Sequence, residues 1–379
     1  SHQQGGPERD RPGGPATVLP ALSLEMCVAF LALMAGGYAI AGGLRAAVYT
    51  DVLQGGLLLL GSGCVAVAAY GEVGGWGAVE AATAPDMRRL ILPASHDVLP
   101  WPGLVTGLLL LGVYYWCINQ VMVQRTLSAR SLKQARFGAL LAGVLKLPVL
   151  ALLVMPGLFA LVLYPGLGNP DLVFPKLTIE LLPTGVRGLI LVAFIAAVMS
   201  SVDSVLNSAS SLVTMDFYAT LRPQASEERL VLVGRVVATA VLVLGALVAP
   251  QIRQFPSLWT YLQSALSYLT PPIVAVFLGA LFGPRINRQG AFYTLIVGSG
   301  LGLLVLVVQP PLHFLYVAAL LFVVSAGVMV VVSYATASPP PQKMAACLWR
   351  REDAHMEATT KRIAALLLLA VALIVGGLW

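Results

Sequence analysis

Charged residues are scarce in this chain of 379 residues: Asp, Glu, Lys and Arg make up 11% of it, whereas 58% of its residues are hydrophobic. A soluble domain carries roughly 25% charged residues, so the composition excludes that class and indicates an integral membrane protein in a lipid bilayer. The net charge of +6 does not point to a nucleic-acid partner, because basic residues of membrane proteins gather in cytoplasmic loops.

Cysteine and histidine are also rare, with four residues of each. Three of the cysteines lie inside apolar runs and none has metal-site spacing, so packing explains them better than a disulfide framework does. The sequence has no P-loop, no GxSxG elbow and no HExxH motif. These absences argue against a soluble catalytic site, and we expect a protein that is not an enzyme.

Long apolar runs make up most of the sequence. Residues 1–17 are polar and rich in glycine and proline, and are predicted to form a disordered tail. Residues 18–379 are predicted to form one transmembrane domain, because about 20 apolar residues suffice to cross a bilayer. Ten segments meet that length: 20–41, 45–70, 104–123, 138–164, 186–214, 230–250, 257–282, 290–308, 312–336 and 362–379.

Lysine and arginine alternate between the connecting loops. The loops after the third, fifth, seventh and ninth segments hold most of them, including Arg125, Arg222, Arg285 and Arg350. Since basic loops stay in the cytoplasm, this alternation places those loops inside and the C-terminus outside.

Within the segment 186–214, five consecutive residues carry three hydroxyls and a carboxylate at membrane depth: Ser200, Ser201, Asp203 and Ser204. Polar groups there are costly and usually functional, and oxygen ligands suit a small hard cation. The alternative is that the hydroxyls bond back to their own helix. A cation site is the favoured hypothesis for the cluster as a whole.

Further polar residues lie in other apolar segments. Asp51 either shares a cation path or pairs with Arg45 near the membrane interface, and Lys146 needs a partner or a water-filled cavity. Tyr115 and Trp116 offer stacking faces for a sugar, although an interfacial aromatic belt is the alternative. Gln263 precedes the helix-breaking pair at 271–272.

Taken together, these stretches resemble the sodium/solute symporter family, in its sodium–glucose cotransporter branch. The matching stretches are Gly42 to Gln54, Trp101 to Gly103, Tyr114 to Ala129, Leu145 to Leu147, Met199 to Asp216 and Tyr261 to Phe277. The resemblance implies an all-α polytopic membrane protein, a LeuT-like bundle of two inverted five-helix repeats. It also implies that this chain begins at the fourth helix of the first repeat, so that the first helices of repeat one are lacking.

The resemblance also implies roles for individual residues. The main Na⁺ site falls on Ala197, Ser200 and Ser201, and a second cation site on Asp51, Asp203 and Ser204. Contacts to a sugar or polyol fall on Tyr115, Trp116, Lys146 and Gln263. Asp203 stands where many sugar-transporting members carry Thr or Ala, which puts the charge of the second site and the identity of the sugar in question.

The expected function is therefore Na⁺-coupled symport of a sugar or polyol, in the plasma membrane, by alternating access. Two alternatives stay open: a truncated, non-transporting chain that modulates an accessory or full-length membrane partner, and a cation channel. If helices are missing, uncompensated charges weaken the fold, and the chain alone is expected to give no saturable Na⁺-driven sugar uptake.

Overall fold

Helices make up every regular element that the computed structural model describes. The structure describes residues 24–96, 99–249, 258–340, 342, 344, 347–350 and 356–377, so the predicted polar tail lies outside the described residues. In chain order the helices are α1 (Leu24–Val73), α2 (Trp76–Ala82), α3 (Trp101–Ile118), α4 (Gln120–Leu127), α5 (Leu132–Leu163), α6 (Val173–Leu181), α7 (Thr184–Leu221), α8 (Glu227–Val248), α9 (Leu258–Leu269), α10 (Pro271–Phe282), α11 (Arg288–Val308), α12 (Phe314–Ala335) and α13 (Ala358–Gly377).

The chain folds as two compact units, and the first contains α1 up to Ala69 together with α6, α7 and α8. Helices α7 and α8 pack along each other around Leu206 and Ala238, both of which are buried. A Ser210 hydroxyl donates to the Gly234 carbonyl oxygen of α8 over 2.9 Å. This hydrogen bond gives a partly buried hydroxyl a partner and fixes the register of the two helices.

The second unit contains α2 to α5 and α9 to α13. Its buried core lies where α3, α9 and α12 meet, around Leu111, Tyr268, Phe314 and Leu315. Helix α12 packs against α9, α10, α11 and the start of α3, so it is the central element of this unit. Helix α13 packs against the first half of α5.

Nine of the ten predicted membrane segments are found as apolar helices. In the part of the chain that the structure describes, eight helical segments have the length and composition of a span, and the bent pair formed by α9 and α10 adds a ninth. The prediction of two separate spans at 20–41 and 45–70 is wrong, because α1 runs as one helix of 50 residues through the expected break at 42–44. Glycine weakens a helix by about 1 kcal/mol without forcing a turn, and no proline stands at that point.

Short helical irregularities interrupt the spans. Segments of π-helix occupy 104–108 and 114–118 in α3, 150–154 in α5 and 212–218 in α7. In α5 the irregular turn follows Pro148, which removes a backbone donor from the helix. Such turns are frequent at functional sites, and the one at 114–118 carries Tyr115 and Trp116.

Glycine permits the close crossing of α3 and α12 in the second unit. A Cβ atom at Gly107 would clash with the main-chain oxygen of Leu315, whereas a Cβ at Gly112, on the same helix, would meet nothing within 4 Å. We expect Gly107→Ala to destabilise the protein by about 1–3 kcal/mol through overpacking. Gly112→Ala is the control, and it should be neutral or slightly stabilising because alanine favours helices.

Thermal unfolding of the purified chain in detergent, followed by tryptophan fluorescence, measures both effects. A lowered midpoint for Gly107→Ala alone is the expected result. Equal midpoints for the two variants would contradict the close crossing of α3 and α12.

Candidate ion and substrate sites

The serines of α7 form a ladder of hydrogen bonds to their own helix. Ser201 Oγ donates to the Ala197 carbonyl oxygen over 3.0 Å, Ser204 Oγ to Ser200 O over 2.7 Å, and Ser208 Oγ to Ser204 O over 2.8 Å. Bonds of this kind are usual for serine inside helices. They hold each hydroxyl oxygen beside a carbonyl oxygen, which places two hard ligands next to each other.

A carboxylate from α1 completes the oxygen cluster. Ser200 Oγ donates a short hydrogen bond to the Asp51 carboxylate, 149 positions away in the sequence. Ten residues further along α1, a Cβ at Gly61 would come within 2.8 Å of Ile190 Cγ1, so glycine permits the close packing of α1 on α7. The pairing gives Asp51 a partner within the first unit, while the side chain of Arg45, the alternative partner, lies outside the described residues.

Asp203 is the most deeply buried carboxylate of the cluster, with 1% of its surface exposed. Its Oδ1 accepts a hydrogen bond from Asn207 Nδ2 over 2.8 Å. Sequence reasoning missed Asn207, although the spacing of four residues between a carboxylate and an amide on one helix is the signal that could have found it. A buried carboxylate keeps its charge only if such donors or a cation stabilise it.

The structure thus groups the predicted residues differently from the resemblance. Ala197 and Ser201 are joined by a hydrogen bond within α7. Ser200 and Asp51, which the resemblance assigned to two different cation sites, are joined directly. Asp203 pairs with Asn207, and Ser204 bonds back to Ser200. These hydrogen bonds therefore link Ser201 with Ala197, Ser200 with Asp51 and Ser204, and Asp203 with Asn207.

The chemistry of this set suits Na⁺. It offers hydroxyl, carbonyl and carboxylate oxygens, the hard donors that hard cations prefer. Among the described residues no group of three His, Cys, Asp or Glu side chains could hold a metal ion. A transition-metal site therefore fits these residues less well than a monovalent cation does.

The second unit holds the predicted substrate residues. Lys146 Nζ of α5 lies 5.3 Å from the centroid of the Trp116 ring, and Tyr115 meets Trp116 edge to face at 5.4 Å between centroids. The rings are 40% and 45% exposed. A cation over a tryptophan face contributes about 0.5–2 kcal/mol, so the ring supplies the partner that an ammonium at membrane depth needs.

Gln263 lies on α9, whose main packing partners are α11 and α12. Helix α9 ends at Leu269, and α10 starts two residues later at a bend of 45°. The proline pair at the start of α10 is fully buried and causes the break that the sequence predicted. Beyond it, α10 packs against the part of α3 that carries Tyr115 and Trp116. These contacts bring Lys146 to the aromatic pair. Gln263 lies on α9, on the other side of the helix break from α10, which packs against that part of α3.

Comparison with known proteins gives the family. The family model described as the sodium:solute symporter family matches residues 17–298. The chain is 35% identical over 366 residues to sodium/glucose cotransporter 1 of Sus scrofa and 38% identical over 346 residues to sodium/myo-inositol cotransporter 2 of Homo sapiens. It is 36% identical over 362 residues to sodium/mannose cotransporter SLC5A10 of Bos taurus.

These alignments cover 80%, 81% and 81% of this chain, and 55%, 51% and 60% of the relatives in the same order. The chain therefore spans about half to three fifths of the length of the curated relatives it matches. Among solved structures, a substrate-bound, outward-open Na⁺-coupled sialic acid symporter aligns with a TM-score of 0.69 at 22% identity. That alignment covers 85% of this chain and 69% of the symporter.

The likeness of fold confirms the predicted all-α, LeuT-like membrane architecture. The family model covers most of the chain and includes the serines of α7 and the aromatic pair of α3. The chain belongs to the sodium:solute symporter family.

Proposed function

We propose that this chain serves the Na⁺-coupled symport of a sugar or polyol across a membrane by alternating access. The carrying observation is the oxygen cluster of the first unit, in which Ser200 donates to Asp51 and Ser201 to the Ala197 carbonyl. Relatives named for glucose, myo-inositol and mannose support the substrate class. No covalent chemistry is involved, because a difference in affinity between conformations is enough to couple two solutes.

Na⁺ would be held by this chain's own oxygens. We infer that Ala197 O, Ser200 Oγ and Ser201 Oγ form the main site, since these atoms already lie within hydrogen-bonding distance of one another or of a carboxylate. Asp51, Asp203 and Ser204 would supply a second site with a net negative charge. Because a hydroxyl can give up its bond to the helix and turn its lone pair to a cation, binding needs little backbone movement.

The sugar or polyol would lie against the aromatic pair of the second unit. Tyr115 and Trp116 present exposed ring faces, and Lys146 adds a charged donor over one of them. Flat rings with a few fixed polar groups are typical of sites for small ligands. Gln263 would add an amide that both donates and accepts hydrogen bonds.

Location and partners follow as part of the same proposal. The basic loops indicate a cytoplasmic face that leaves the C-terminus outside, and the plasma membrane fits a symporter for nutrients. An accessory or full-length membrane partner has no support from the described residues or from the relatives.

We expect Ser201→Ala, and more strongly Ser200→Ala with Ser201→Ala, to raise the Na⁺ concentration for half-maximal binding. Each change removes an oxygen ligand while keeping the helix. Binding of ²²Na⁺ to the purified chain in nanodiscs measures the effect. Ser208→Ala is the matched control, because it removes the same type of back-bonded hydroxyl from α7 outside the site. An unchanged Na⁺ curve in the double variant would rule out the serine assignment.

The cation-channel alternative makes a different prediction when the purified chain is reconstituted into vesicles. In sealed vesicles a channel passes ²²Na⁺ down its gradient at a rate that sugar does not change. The symport proposal predicts that Na⁺ movement depends on the sugar.

A further inference from the structure

A cavity of about 520 Å³ lies at one end of the second unit, between the start of α11, the end of α10 and residues 337–340, 344, 347 and 348 that follow α12. Its volume is within the roughly 300–1,000 Å³ of sites for small ligands. None of the predicted ion or substrate residues lines it, and neither does the aromatic pair of α3. The cavity is therefore a candidate site for a different ligand.

The cavity is built by defined contacts. Asn287 Nδ2 donates to Thr336 Oγ1 over 2.7 Å and to Ala337 O over 3.0 Å. The Trp349 backbone N–H donates to Leu281 O over 2.9 Å, and the Trp349 ring packs on Phe282. The segment after α12 is thus tied at both ends across the end of α10, which leaves the space beneath it.

The lining has two chemical characters. One wall is apolar and consists of Val276, Ala280, Ala291, Met344 and Leu348. The other wall carries Asn287, Arg288, Gln289 and Ser338. A ligand that fits must therefore combine an apolar part with a polar part that accepts hydrogen bonds.

The charged residues around the cavity indicate which polar group the ligand carries. Arg288 lines the cavity, and Arg285 lies three residues earlier with its guanidinium 4.7 Å from the Tyr334 ring centroid. Among the described residues of 283–289 and 336–350 there is no Asp or Glu, and Arg350 is a third arginine there. The charge of these described residues is therefore positive, which attracts an anion.

We propose that this cavity binds an anionic phospholipid, with its phosphate near Arg288 and the start of an acyl chain against the apolar wall. The cavity lies at the basic end of helices that are apolar enough to span a bilayer, where the headgroups of anionic lipids accumulate. Basic pockets between membrane helices are known to take such headgroups. A bound lipid would tie the end of α10 to the start of α11 and to the lining residues that follow α12, and would stabilise this end of the second unit.

The test uses the full 379-residue chain in nanodiscs of phosphatidylcholine with and without phosphatidylglycerol, followed by native mass spectrometry to count retained lipid. We expect phosphatidylglycerol to be retained over phosphatidylcholine, and Arg288→Gln to lower that preference about fivefold, as one basic contact to an anionic lipid predicts. Arg222→Gln is the matched control, because it removes an exposed arginine of the first unit.

A second variant tests the apolar wall. Ala280→Trp fills the cavity and should reduce retention of phosphatidylglycerol, while circular dichroism shows that the helices persist. Equal losses for Arg288→Gln and Arg222→Gln would overturn the proposal in favour of general surface attraction. Displacement by free glycerol phosphate alone would overturn it in favour of a site for a soluble anion. Since Na⁺ binding is measured separately, failure of either proposal leaves the other distinguishable.

Discussion

Replacing Asp51 by asparagine should raise the Na⁺ concentration for half-maximal binding at least about tenfold, which corresponds to about 1.4 kcal/mol. Asparagine keeps the shape of the side chain and can still accept the hydrogen bond from Ser200. Only the negative charge is lost. A cation site that uses this carboxylate loses its strongest electrostatic attraction, which in a membrane interior is poorly screened.

The stability of the variant separates a binding role from a structural one. A negative charge at membrane depth is costly, so neutralising Asp51 should leave the unfolding midpoint in Na⁺-free buffer unchanged or raised. Na⁺ should raise that midpoint in the wild type and much less in Asp51→Asn. Asp216→Asn is the control, since it makes the same change at an exposed carboxylate of α7. A Na⁺ curve that is the same in all three proteins would remove Asp51 from the site.

Replacing Lys146 by glutamine should weaken binding of the sugar or polyol about tenfold or more, because a hydrogen bond from a charged donor contributes about 1.5–3 kcal/mol. Binding of radiolabelled glucose, myo-inositol and mannose to the purified chain measures the change and ranks the three substrates. Na⁺ binding without sugar should stay normal, because Lys146 and the oxygen cluster belong to different units.

Lys146→Arg tells the two roles of this residue apart. Arginine restores the cation over the Trp116 ring but changes the donor geometry that a sugar would meet. If Lys146 only supports the ring, Lys146→Arg recovers full sugar affinity; if it contacts the substrate, recovery is partial. Lys176→Gln is the control for loss of a partly exposed lysine, one that pairs with Glu180. Normal affinity for all three sugars in Lys146→Gln would place the substrate elsewhere.

Hydropathy predicted most of the membrane architecture from the sequence. Long apolar runs with few charges have one stable arrangement in a bilayer, which is the helix, and the buried pair Pro271 and Pro272 marked the break after α9 correctly. The prediction of a helix break at Gly42 and Gly43 was wrong, because a glycine pair permits a break but does not require one. The short helices α2 and α6 were also missed, because they lie between the apolar runs.

The side-chain pairings of the site were harder to predict. Ser201 with Ala197 and Ser204 with Ser200 follow from the spacing of four residues on one helix. The contact of Asp51 with Ser200 depends on how α1 packs against α7, and sequence separation carries no information about that. In the same way, Lys146 was recognised as needing a partner, but the Trp116 ring as that partner emerged only from the packing of α3 and α5.

Sodium binding to the purified chain, measured as a ²²Na⁺ isotherm with and without sugar, tests the central claim most directly. Symport requires that each solute raise the affinity for the other by the same factor. We predict saturable ²²Na⁺ binding that at least one of glucose, myo-inositol and mannose tightens about fivefold or more, within the typical 1–3 kcal/mol of coupling between sites. Saturable Na⁺ binding that none of the three sugars alters, or no saturable Na⁺ binding at all, would contradict the account.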